Sequence, residues 1–283
     1  MTSPRITVAH SPDTDDVFMF WAIATGRLDT GNRVYELLAE DIEVLNRAAR
    51  EGVYDVTAIS FGAYPHLADA YAVLDSGGSI GDDYGPVVAS AEPIAVSDLQ
   101  GAIIAHPGCL TTAWLAARLL LPTVTGLEVP FKEVGDAVKA GKAQAGILIH
   151  EGQLTCERDG LTPIMDLGHA WREHCDLPLP LGANAIAKRL GPELMRDVAV
   201  DCRASIEMAL EHRDEALAWT QDRCPGLDLE GAHRYLDMYV NADTVCLSHS
   251  VREGIARLFT DAHAAGILEK PVQVEIVDGS PRS

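Results

Sequence analysis

Gly141-Lys-Ala-Gln-Ala-Gly-Ile-Leu-Ile-His150 decides the fold class. A glycine able to stop a helix is followed by a run of small and apolar residues, and the run closes on a histidine before the polar turn Glu151-Gly152. A short apolar run bounded by turn signals reads as a strand buried on both faces, here Gln144 to Ile149. The segment before it, Phe131 to Ala140, reads as a helix stopped by Gly141. Gly52-Val-Tyr-Asp-Val-Thr-Ala-Ile-Ser60 repeats the pattern after a helix from Ile42 to Arg50. Two helix–Gly–strand units, each with a polar tip, predict an α/β protein of two lobes. Ligands of open α/β sheets gather outside the carboxyl ends of strands, so Ser60 and His150 become candidate site residues. A histidine placed there can exchange a proton near neutral pH and is a candidate general base; by position alone the favoured reading is a histidine that bonds a neighbouring loop.

Working outward, Arg5 to Ala9 reads as a first strand ending at His10-Ser-Pro, and Asp13-Thr-Asp-Asp16 as the turn that caps an apolar helix, Val17 to Ala24. Val34 to Leu38 reads as the second strand, and Tyr54 to Ser60 as the third. Further on, the strand Gly101 to Ala105 leads through His106-Pro-Gly-Cys-Leu110 into a helix from Thr111 to Leu121, ended by Pro122. A helix start carrying two hydroxyls, free N–H groups and the positive end of the dipole can hold an anion without a lysine. Thr111 or Thr112 serves equally well as a plain N-cap. Tyr84 to Ala89 and Leu177 to Gly182 combine Pro, Gly and apolar residues and read as extended crossings between lobes. The expected division is therefore 1–88 with 182–283 as the larger lobe and 89–181 as an inserted smaller lobe. The C-terminal part reads as helices at Met195 to Glu211, Asp214 to Cys224, Ala232 to Val240 and Val251 to Ala265.

A hydrophobic share of 47% and a charged share of 23% fit a globular protein with a substantial core. The formal net charge of −20 argues against nucleic acid and against anionic membrane surfaces as partners. Any anionic ligand must find a locally favourable site in a repulsive field. None of the six cysteines forms a C-x-x-C pair, which speaks against a disulfide framework and a zinc site. The N-terminal Met-Thr-Ser-Pro-Arg run lacks the apolar core of a secretion signal, and no stretch is long enough to span a bilayer, so a cytoplasmic location is expected. G-x-S-x-G, P-loop and dinucleotide fingerprints are missing, which removes the common hydrolase, kinase and dehydrogenase readings. Asp13, Asp15 and Asp16 could offer oxygen ligands to a hard cation. With no further acidic or His partner at a suggestive spacing, helix capping is the preferred role, and no metal is expected.

Several stretches carry a family resemblance in their order along the chain: Ser11-Pro with Asp15-Asp16, Asp41-Ile-Glu-Val-Leu-Asn46, Tyr54 to Tyr64, Ser76-Gly-Gly with Tyr84-Gly-Pro86, Thr111-Thr-Ala113, Ala145 to Glu151, Leu154-Thr155 with Gly160-Leu161, Leu177 to Gly182, and Tyr239-Val-Asn241. Together they resemble the bacterial menaquinone-biosynthesis family of the futalosine pathway. The resemblance implies a type II periplasmic-binding-protein-like fold: two α/β lobes, a two-strand hinge and a central cleft. It implies a cofactor-independent carbon–carbon lyase that converts cyclic dehypoxanthine futalosine, a small anionic aromatic substrate, into 1,4-dihydroxy-6-naphthoate by retro-aldol-type cleavage. It makes His150 the base. It makes Ser11, Asp16, Asn46, Ser60, Thr111 and Thr112 substrate-binding, with Tyr239 and Asn241 completing the first lobe's wall. Two positions depart from the family pattern: Asp15 stands where the family carries an amide, and Gln153 where it often carries an arginine. Two other readings share the fold, a solute-binding protein and a chorismate dehydratase-like sibling. The oligomeric state has no signature in the sequence.

Overall fold

The computed structural model describes residues 3–281. The chain divides into two compact units, one made of the chain up to Ser79, Gly182–Ser248 and the chain from Gln273 onward, the other of Ile80–Leu181 and His249–Val272.

The first unit begins with β1 (Arg5–His10), two short helices α1 (Thr14–Met19) and α2 (Trp21–Ala24), β2 (Val34–Ala39), α3 (Ile42–Arg50), β3 (Val56–Ser60) and β4 (Tyr71–Leu74). A three-residue strand, β5 (Ser79–Gly81), leads into the second unit: β6 (Val87–Ser90), β7 (Ile103–His106), α4 (Thr112–Leu120), β8 (Thr125–Glu128), α5 (Val134–Lys139), β9 (Ala145–Leu148), α6 (Gly152–Thr155), β10 (Thr162–Asp166) and α7 (Leu167–Cys175). The long strand β11 (Leu179–Ala187) returns the chain to α8 (Pro192–Glu211), α9 (Arg213–Gln221), α10 (Leu229–Tyr239) and α11 (Ala242–Val245), followed by α12 (His249–Ala264) and β12 (Ile276–Val277).

The larger sheet runs β12-β4-β11-β3-β1-β2, with β5 pairing beside β11. β1 is parallel to β2 and β3, and β11 is antiparallel to β3 and β4. One face buries Ile6, Val8, Val56, Leu74 and Ile186 against Phe20 and Ile23 and against Met195, Val198 and Cys202 of α8. The other face packs Ala9 and Ala58 against Leu45 of α3. The smaller sheet runs β10-β6-β9-β7-β8, with β7 parallel to β8 and β9 and β6 antiparallel to its neighbours. Val87, Ala89, Ala105 and Leu148 meet Val134, Ala137 and Val138 of the α5 segment on its covered face. Among the described residues, no helix is long and apolar enough to cross a membrane.

The expected lobe division needs two corrections. The first boundary lies at Ser79/Ile80 rather than after residue 88. Tyr84-Gly85-Pro86 packs inside the second unit, where the Gly85 Cα faces the Gly168 amide and Leu167 N–H donates to the Pro86 carbonyl at 2.9 Å. The second correction is α12, which belongs to the second unit instead of the first. Gly254 lets α12 lie against the Pro178 carbonyl, where a Cβ would come within 2.6 Å, and His174 Nε2 meets Asp261 at 3.0 Å. Both segments were assigned by their place in the chain, and long-range packing moved them.

The edge strand β2 is tied to α8 by a polar staple. Arg33 Nε and Nη2 donate to the two oxygens of Asp201 at 2.6 and 2.8 Å, and the Tyr35 hydroxyl donates to Oδ2 at 2.5 Å. Asp201 is buried, and its hydrogen bonds hold the Arg33 guanidinium above its ordinary pKa; burial raises that of Tyr35. Removing the carboxylate leaves the Tyr35 hydroxyl without its acceptor and the half-buried Arg33 guanidinium with only the longer contact to Asp197, at 3.9 Å. Asp201→Ala is expected to lower the unfolding free energy by about 3 kcal/mol in chemical denaturation, the scale of breaking a buried ion pair from one side.

Candidate active site

The site residues fall into two groups, one on each unit. In the first unit, β1 ends at His10, and the next turn folds back on the start of α1: Ser11 N–H donates to Asp16 Oδ2 at 2.7 Å. Ser11 and Asp16 are buried. A carboxylate in the first turn of a helix is favoured by the local dipole, and here it also satisfies a turn amide. Asp13, Asp15 and Asp16 bring carboxylate oxygens within 4.8 Å of one another. Asp13 occupies the N-cap position of α1 without a side-chain capping bond, so the expected cap is not made by Asp13. Asp15 instead accepts the Ser79 hydroxyl at 2.8 Å.

Asn46 and Ser60 form a closed pair. Ser60 N–H donates to Asn46 Oδ1 at 2.8 Å, and Asn46 Nδ2 donates to Ser60 Oγ at 3.1 Å. Asn46 is fully buried on the inner face of α3 beside Leu45 and Ala49, not a solvated helix residue. The pair lets α3 hold the tip of β3 in a fixed orientation. Tyr239 and Asn241 serve a different joint. Tyr239 is buried against Tyr235, ring centroids 4.9 Å apart, and its carbonyl accepts the Thr244 hydroxyl at 2.7 Å. Asn241 caps α11 in a reciprocal box with Thr244 and donates from Nδ2 to the Met238 carbonyl at 3.0 Å. The side chain expected to face substrate is thus engaged on both polar atoms in joining α10 to α11.

In the second unit, β9 ends at Leu148, two residues before His150. His150 sits in the turn after it, with a left-handed φ of +52°. That conformation is costly for a residue with a Cβ, and such strain concentrates at functional sites. Backbone bonds hold it: Gly152 N–H donates to the Ile149 carbonyl at 3.1 Å and Gln153 N–H to the His150 carbonyl at 3.2 Å. The imidazole meets the Phe131 ring edge to face, 5.4 Å between centroids at 76°, and its Nε2 is shielded from solvent.

Thr111 is the N-cap of α4, accepting Trp114 N–H at 3.3 Å. Its own hydroxyl proton goes to the Gly108 carbonyl at 2.8 Å, and that of Thr112 to the Leu181 carbonyl at 2.5 Å. A hydroxyl has one proton to give. The capping and anion-holding readings of this turn are therefore compatible, provided an anion is held by first-turn backbone N–H groups rather than by hydroxyl donation. One feature escaped sequence reasoning: the Ser79–Asp15 bond spans 64 positions with no local signature. His106, which by following a strand competes with His150 in the sequence, ends β7 and packs against Trp114.

Asn46→Ala leaves the Ser60 amide without its buried acceptor, whereas Ser60→Ala leaves only one donor of Asn46 unmet. Asn46→Ala is expected to cost roughly 1–3 kcal/mol in urea denaturation, and Ser60→Ala less.

The comparisons with known proteins agree with one another. The chain is 35% identical over 262 residues to a 1,4-dihydroxy-6-naphtoate synthase of Thermus thermophilus, a match covering 93% of this chain and 95% of that one. A crystal structure of an Archaeoglobus fulgidus protein superposes with a TM-score of 0.88 at 43% identity, covering 93% of this chain and 98% of the other. The alkanesulfonate-binding protein SsuA of Xanthomonas axonopodis pv. citri, bound to MOPS, superposes with a TM-score of 0.73 at 15% identity, covering 98% and 99%. That last likeness speaks for the fold alone, which is periplasmic-binding-protein-like. The family model described as menaquinone biosynthesis matches residues 6–264, nearly the whole of the two units described above, and the chain belongs to that family.

Proposed function

We propose that the chain is a 1,4-dihydroxy-6-naphthoate synthase, a carbon–carbon lyase that takes cyclic dehypoxanthine futalosine as substrate. The observation that carries the reading is His150: an imidazole in a strained turn directly after a buried strand, in the unit that also holds the α4 amide terminus. The relatives' activity supports the substrate, since the chain is similar to them over nearly its full length.

In this reading His150 takes the proton of a substrate hydroxyl. The O–H electrons form a carbonyl, the adjacent carbon–carbon bond breaks, and its electrons pass into the ring system. The imidazolium returns its proton to the enolate so formed, aromatisation supplies driving force, and the three-carbon sugar fragment leaves carrying the new carbonyl. The first-turn amides of α4 hold the ring carboxylate, which answers the problem posed by the net charge of −20 with backbone dipoles rather than cations. Asp16 and the Asn46–Ser60 pair hold hydroxyl groups. Every step is a proton transfer or a heterolysis, so no cofactor is required. Asp15, where the family carries an amide, bears on substrate choice through Ser79, to which it is bonded.

The test is incubation of the purified chain with cyclic dehypoxanthine futalosine, with chorismate in a parallel arm. Naphthoate formation supports the proposal. Binding without turnover indicates a receptor, and turnover of chorismate alone indicates the dehydratase-like sibling. His150→Asn keeps a residue tolerant of left-handed φ. It is expected to lower kcat by roughly 10²–10⁴-fold, the usual contribution of a general base, with the thermal midpoint little changed.

A further inference from the structure

The turn between β7 and α4 closes on itself through a residue with no role in the chemistry above. The His106 imidazole is 3% exposed and stacks on the Trp114 indole, 4.1 Å between centroids and 7° between planes. Both rings seat against Gly126 of β8, where a Cβ would lie 2.6 Å from His106 Nε2 and 2.6 Å from Trp114 Cζ2. Only a residue without a side chain lets the two rings lie there. His106 Nδ1 is buried and has no hydrogen-bond partner among the described residues. In the same turn the Gly108 carbonyl accepts the Thr111 hydroxyl, and Thr111 Oγ1 accepts the Trp114 N–H. The residue that stacks on His106 is therefore the one whose amide Thr111 caps.

We infer that His106 is a positioning residue for the carboxylate-binding turn: through its stack on Trp114 and their shared seat on Gly126 it fixes the direction of the first-turn amides of α4. The inference rests on the reading of that turn as the carboxylate subsite. Thr111 caps the helix by a single bond, at 3.3 Å, which leaves rotation about that one contact open. The flat contact of two rings on a glycine removes that freedom. Burial pushes the pKa of the imidazole below the usual histidine range. The stack and the glycine seat make the ring a spacer of fixed shape, which acts through Trp114.

Three variants test this. His106→Ala removes the stack, Gly126→Ala displaces both rings from another strand, and His106→Phe keeps the stack. The first two are expected to raise KM about tenfold with kcat within about twofold, and His106→Phe to stay within about threefold of wild type in both. A KM within twofold of wild type in folded His106→Ala or Gly126→Ala overturns the inference. So does a loss of kcat at unchanged KM, which would put His106 on the reacting atoms. If His106→Ala does not fold, Gly126→Ala and His106→Phe decide. If wild type turns nothing over, the functional reading falls, and the positioning role is read from hydrogen exchange of the Trp114 amide. Exchange about tenfold faster in Gly126→Ala supports it, and unchanged exchange overturns it.

Discussion

A strand covered by side chains on both faces has only its ends to offer to chemistry. Val56 to Ile59 of β3 and all four residues of β9 are buried, so the side chains along the strands are taken up in packing. What the sheets present are their carboxyl tips: His10 and Ser60 in the first unit, His106 and the His150 turn in the second. A tip is also where backbone groups lose their ladder partners and must be satisfied some other way. The Asn46–Ser60 pair, the Ser11–Asp16 bond and the Gly108–Thr111–Trp114 circuit are all answers to that one constraint. The polar groups gathered at the strand ends are there first to close the backbone, and any binding function uses what capacity remains.

This changes how the anion problem of an acidic protein is solved. Hydroxyls are the obvious donors at the start of α4, yet both threonine protons go to carbonyls. The donors that suit an anion are peptide N–H groups, which carry no formal charge, do not titrate and lose no side-chain entropy on binding. The first unit makes the opposite choice, gathering three carboxylates at the start of α1. The two groups of residues therefore differ in polarity: one suits hydroxyl groups that donate, the other suits oxygens that accept.

Local periodicity made most of the fold legible. Gly52 and Gly141, both at positive φ, end the helices where expected, and the strands that follow them lie within the expected spans. α8, α9, α10 and α12 also fall within a few residues of the expected stretches, while the short α11 was not expected. Elements whose identity depends on partners far away were not legible. β4 and β12 are short strands that exist because they pair with each other, and β11 looked like a Pro-rich connector because its strand character comes from lying between β3 and β4. The site divides the same way. His150, Ser60 and Thr111 stand at strand tips or helix starts and could be found from local grammar. The burial of Asn46, the Ser79–Asp15 bond and the His106 cage depend on contacts the chain makes only once folded. Tyr239 and Asn241 drew attention as a motif, and the bonds they make join α10 to α11.

The passage of the chain between its units has a consequence for how it is made. The polypeptide crosses four times, so neither unit is a continuous segment. The larger sheet cannot acquire its β12 edge until residues 276 and 277 have left the ribosome, and the smaller unit lacks α12 until residue 264 has. Contacts of such sequence separation are slow to form because long loops must close first. The smaller unit waits for α12 with its sheet already complete, whereas the larger sheet must keep its β4 edge from open-edge association until β12 is made.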